Sequence, residues 1–82
     1  MNESIAKELR RILRSIAPET DPAALPPDVD IREELDIDSM DFLRYATAVS
    51  EHFGLDVPEA DYPELCTLGG ATRYVARHAG GP

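Results

Sequence analysis

Basic residues, cysteines and long apolar runs are all scarce in this sequence, and each shortage removes a class of function. Eight Lys and Arg face sixteen Asp and Glu, for a formal charge of −8. That is the wrong sign for a protein that binds by neutralising nucleic acid phosphates. The lone Cys66 has no internal disulfide partner and points to a reducing cytoplasm. No apolar stretch approaches the ~20 residues needed to cross a bilayer, and the N-terminus shows neither the apolar core nor the cleavage pattern of a signal peptide. His52 and His78 lack companions at ligand spacing, which argues against a metal site. Asp36 and Asp38 alternate as calcium-loop ligands do, but the sixth position counted from Asp36 is Asp41, where an EF-hand needs Gly. An enzyme is disfavoured as well, because no nucleophile and base stand in register and 82 residues leave little room to enclose a substrate.

What remains is 43% hydrophobic and 29% charged, the composition of a chain that folds as a single small domain over residues 1–82. Ile5, Leu9, Ile12, Leu13 and Ile16 recur at helical spacing and predict an amphipathic helix from about residue 3 to 16, stopped by Pro18. Its polar face holds Lys7, Arg10, Arg11 and Arg14, half of all the basic residues. Residues 19–64, in contrast, hold only Arg32 and Arg44 against fourteen acids. A basic end meets an acidic body.

From Pro18 to Asp38 four prolines and the lack of any sustained period predict one long loop. Leu25, Val29, Ile31, Leu35 and Ile37 are spaced through it and are expected to pin it to the core. A second helix is predicted over 39–53, between the capping pair Asp38-Ser39 and the stop Gly54. A turn or short helix is expected over Glu59–Leu65, and a last helix from Thr67 or Leu68 that uses Leu68, Ala71, Thr72, Val75 and Ala79. The tail Gly80-Gly81-Pro82 is expected to be disordered. The fold class is all-α, a small four-helix bundle with three longer helices and one short one, and a long loop between the first two.

The second helix has two faces. Phe42, Tyr45, Ala46, Val49 and Phe53 form the core side, while Met40, Arg44, Thr47 and Glu51 form a side that begins next to Ser39. Taken alone, Ser39 reads better as a helix cap than as a functional residue, since caps occur in every helical protein and Asp38 and Asp41 approximate a capping box. Cys66 reads as a small core residue.

The segment Glu34-Leu35-Asp36-Ile37-Asp38-Ser39-Met40-Asp41-Phe42-Leu43 resembles the phosphopantetheine attachment motif of acyl carrier proteins, in which Asp-Ser-Leu or Asp-Ser-Met opens the second helix. Glu51 to Pro58 resembles that family's helix end and turn, and Thr67-Leu68 with Tyr74-Val75 resembles its last helix. The likeness implies that a phosphopantetheinyl transferase attaches 4'-phosphopantetheine from coenzyme A to Ser39, and that the arm's thiol holds an acyl group as a thioester. It also implies that the chain catalyses nothing itself and is a mobile monomer visiting acyl-loading and acyl-using enzymes. Asp38, Met40, Asp41, Arg44, Thr47 and Glu51 would form the docking surface for those enzymes. Three positions depart from the pattern. Asp36 stands where many members have Gly, and Arg44 and Ser50 stand where carriers of fatty acid synthesis usually have Glu, which points to a specialised set of partners. The alternatives are an aminoacyl or peptidyl carrier and an unmodified helical adaptor whose acidic second helix binds a basic partner.

Overall fold

The computed structural model describes residues 2–79, so the expectation of a disordered tail at 80–82 lies outside the described residues. Four α-helices follow in order: α1 (Asn2–Ile16), α2 (Ile31–Glu34), α3 (Ser39–Phe53) and α4 (Leu68–Ala79). Two 3₁₀ helices, Pro22–Ala24 and Glu59–Leu65, lie in the connections. The all-α expectation holds, and the three long helices begin and end within a residue or so of their predicted positions.

The apolar stripe of α1 turns inward with Leu9 and Leu13 fully buried, and the helix packs on α4 and α3. Between α1 and α3 the chain is better ordered than one long loop. The Asp30 carboxylate accepts a hydrogen bond from the Arg32 amide (2.8 Å) and so caps the one-turn helix α2, which the sequence pattern does not show. Four residues are too few for a 3.6-residue period to appear. The expected anchors do hold this segment down: Leu25, Ile31, Leu35 and Ile37 are buried and Val29 packs against the core. Backbone bonds complete the attachment, from the Ile31 amide to the Cys66 carbonyl (2.7 Å) and from the Gly69 amide to the Pro27 carbonyl (2.8 Å).

Helices α2 and α3 end in the same way. At the end of α3, Gly54 takes a left-handed conformation (φ 65) and the Leu55 amide reaches back to the Ser50 carbonyl. At the end of α2, Asp36 takes the left-handed place (φ 52) and the Ile37 amide reaches back to the Arg32 carbonyl. The departure at Asp36 therefore leaves the loop geometry of a glycine intact, because Asp is among the few residues that tolerate this region. The reversal drops Ile37 into the core and aims the chain at Asp38.

On α3 the core face is Phe42, Tyr45, Ala46 and Val49, with Phe53 half-buried at its end. Helix α4 buries Leu68, Ala71, Thr72 and Val75 as expected, while the expected burial of Ala79 lies outside what is described; it also buries Tyr74, whose hydroxyl donates to the Asp61 carboxylate (2.6 Å). Thr67 caps α4 by accepting from the Gly70 amide (3.0 Å). Cys66, expected in the core, is only half-buried because it sits where the 3₁₀ helix 59–65 gives way to α4 at the edge of a surface groove.

Candidate functional site

The first turn of α3 separates two tasks that the sequence alone leaves tangled. The Asp38 carboxylate accepts the hydrogen bond from the Asp41 amide (2.9 Å), so Asp38 is the cap and Ser39 is the first residue inside the helix. Ser39 is exposed and is not the residue that caps the helix. Its hydroxyl stands at a helix end where the first amides have no partner within the helix and the dipole is positive, a setting that favours a phosphodiester. The Asp38 and Asp41 carboxylates oppose that preference locally.

The predicted docking residues all reach the surface. Asp38, Met40, Arg44, Thr47 and Glu51 are exposed and Asp41 is half-buried. Met40 is 62% exposed, far from the core placement a methionine usually takes. Leu43, which the sequence reading assigned to neither face, is 44% exposed. The signal was available: Leu43 falls off the core stripe and lies three residues after Met40 and four before Thr47, on the same side of the helix.

Met40 and Leu43 border an open groove of about 400 Å³ that starts at Ser39 and runs between α3 and the 3₁₀ helix 59–65. Its other walls are Phe42, Arg32, Glu59, Tyr62, Pro63 and Cys66. Phe42 and Tyr62 meet edge to face with ring centroids 6.1 Å apart, and the Arg32 guanidinium lies 5.7 Å from the centre of the Phe42 ring. Sequence reasoning missed this groove, because its walls come from segments about twenty residues apart that share no period. The Cys66 thiol on its wall is pushed up in pKa by burial and by the Asp30 carboxylate, an effect the Arg32 cation offsets in part. It stays a thiol and a poor nucleophile at neutral pH.

The family profile described as the phosphopantetheine attachment site matches residues 7–75, which takes in Ser39, the whole of α3 and the greater part of α1 and α4. This chain belongs to the acyl carrier protein family. Among curated relatives, the acyl carrier protein of Renibacterium salmoninarum is 32% identical over 78 residues, covering 92% of this chain and 91% of the relative. That of Acidothermus cellulolyticus is 30% identical over 76 residues, covering 90% and 87%. A putative mitochondrial acyl carrier protein of Schizosaccharomyces pombe is 25% identical over 72 residues, 88% of this chain but only 64% of the relative's length. Ser39 lies within this matched stretch, exposed and with no part in capping the helix. No helix among the described residues is long and apolar enough to cross a membrane.

Proposed function

We propose that this chain carries acyl groups as thioesters on a 4'-phosphopantetheine arm attached to Ser39, and presents them to partner enzymes without catalysing a reaction itself. The observation that carries the assignment to Ser39 is the hydrogen bond from the Asp41 amide to Asp38: with the cap supplied by its neighbour, the serine hydroxyl is left exposed on a rigid helix end. The arm, when attached, supplies the thiol. The residues of this chain hold its phosphodiester end at a fixed place beside an apolar groove and offer partners a surface to dock on.

That surface is Asp38, Met40, Asp41, Arg44, Thr47 and Glu51, to which Leu43 is added. Its partners are a phosphopantetheinyl transferase and the enzymes that load and use the acyl group. Two exposed apolar side chains flanked by carboxylates suit partners that combine a basic rim with an apolar contact. Arg44 places a cation between Asp41 and Glu51, the two acids of α3, and favours partners other than the general enzymes of fatty acid synthesis. The half-buried lone Cys66 fits a reducing compartment such as the cytoplasm.

The test is intact mass after incubation with coenzyme A and a broad-specificity phosphopantetheinyl transferase. The wild-type chain is expected to gain one phosphopantetheine and Ser39→Ala none, with the helical circular dichroism of the variant unchanged. No gain by the wild type, or a gain that survives Ser39→Ala, defeats the assignment.

A further inference from the structure

The basic cluster of α1 plays no part in the Ser39 surface. Lys7, Arg10, Arg11 and Arg14 follow one another at helical positions i, i+3, i+4 and i+7, so all four line one side of the helix. Lys7, Arg11 and Arg14 are exposed. Arg10 bends over the connection instead, donating from Nε to the Pro22 carbonyl and from Nη2 to the Leu25 carbonyl, both at 3.1 Å. It thereby fixes the segment Asp21–Ala23 as the far wall of a cleft of about 300 Å³ whose other wall is the four cations. This cleft shares no lining residue with the groove at Ser39. The acids within reach are few: Asp21 lies on the cleft wall, and Glu8 is engaged by His52 (3.2 Å) and more loosely by Arg11 (4.0 Å).

We propose that this cleft is a second docking surface, and that its occupant is an acidic segment of a partner protein bearing several carboxylates. The argument is charge complementarity and shape. The four cations extend over about 10 Å of helix, too long for a single phosphate and suited to carboxylates repeated along a peptide. A bilayer fits badly, because the surface is concave and none of the fully exposed residues of α1 is apolar. Nucleic acid fits badly too, since a long polyanion would run onto a body whose total charge is −8. Because the Ser39 surface carries acids and this one cations, partners with opposite electrostatics are sorted to different faces of one small molecule. The proposal stands apart from the arm's attachment at Ser39 and is testable on the unmodified chain.

The probe is a synthetic peptide with four glutamates at helical spacing, titrated into the ¹⁵N-labelled full chain at low salt. Saturable shifts are expected at Lys7, Arg11, Arg14, Asp21 and Ala23, weakening as the Debye length falls below ~10 Å. The triple variant Lys7→Gln, Arg11→Gln, Arg14→Gln keeps Arg10 and its loop contacts, and is expected to bind at least about tenfold more weakly. The pair Arg73→Gln, Arg77→Gln on α4 serves as the control and should change affinity less than about twofold. Shifts centred elsewhere, or equal binding by the triple variant, overturn the proposal. So does stronger binding to vesicles of anionic phospholipid than to the peptide, or self-association abolished by the triple variant, which would hand the face to a membrane or to a second copy.

Discussion

At the residue scale, the decisive feature is how neighbouring positions divide the work around Ser39. Asp36 turns the chain, Ile37 anchors it, Asp38 caps the helix and Ser39 is left without a structural duty. The conformation of Asp36 makes the first of these roles measurable. A non-glycine residue in the left-handed region costs roughly 1–2 kcal/mol, less for Asp than for a β-branched side chain. Asp36→Val should therefore lower the unfolding free energy by about 1–2 kcal/mol, whereas Asp36→Gly should leave it unchanged or raise it by up to ~1 kcal/mol. Urea midpoints at constant m read both effects. A Val variant as stable as the parent would show that this turn is not under strain. Whether the chain keeps the family's turn with Asp in place of Gly cannot be seen in the sequence, because the residue type permits the left-handed region without requiring it. The seating of Ser39 inside the helix is likewise decided by a hydrogen bond and not by a pattern.

At the element scale, α3 was legible where periodicity governs and opaque where juxtaposition does. Phe42, Tyr45, Ala46 and Val49 were readable as a buried stripe because burial repeats with the helix turn. The one-turn helix α2 and the groove over the 3₁₀ helix 59–65 were not, since one is too short for its period to repeat and the other exists only once distant segments pack. The exposed stripe of α3 yields a prediction about loading. Met40→Ser with Leu43→Ser removes exposed apolar surface and should leave stability within about 0.5 kcal/mol of the parent. Modification of Ser39 by the transferase should slow by about tenfold or more, equivalent to ~1.4 kcal/mol of lost transition-state contact. Arg44→Glu replaces the cation between Asp41 and Glu51 with a carboxylate and should speed turnover by an enzyme of fatty acid synthesis acting on the loaded carrier. Rates unchanged in both variants would move the docking surface off this face.

At the scale of the whole molecule, the separation of charge and the titration of a few buried groups act together on stability. Arginine stays charged over the accessible range, and Lys7 is the chain's single lysine, so alkaline behaviour is governed by the buried phenols of Tyr45 and Tyr74 together with the Cys66 thiol. Tyr74 is buried and bonded to Asp61, and burial followed by that carboxylate raises its pKa to about 12. Tyr45 is fully buried, its hydroxyl has no partner among the described residues, and burial raises its pKa too. In the unfolded chain both phenols ionise near ~10. A raised pKa in the folded state means that the neutral phenols stabilise the fold fully below pH ~10, and that this contribution is lost as pH climbs toward about 12. Each phenolate also adds negative charge to a molecule already at −8, so repulsion works in the same direction. The unfolding free energy, followed by urea denaturation, should therefore decline gently from pH ~8.5, where the Cys66 thiol ionises in the unfolded chain, and fall steeply above pH ~10. Tyr74→Phe should lower stability at neutral pH by about 1 kcal/mol through the lost bond to Asp61, yet flatten the alkaline fall. An alkaline slope identical in parent and variant would show that Tyr74 does not govern it. The tie between Tyr74 and Asp61 joins α4 to the 3₁₀ helix that walls the groove, so its loss is expected to loosen the surface beside Ser39 as the molecule destabilises.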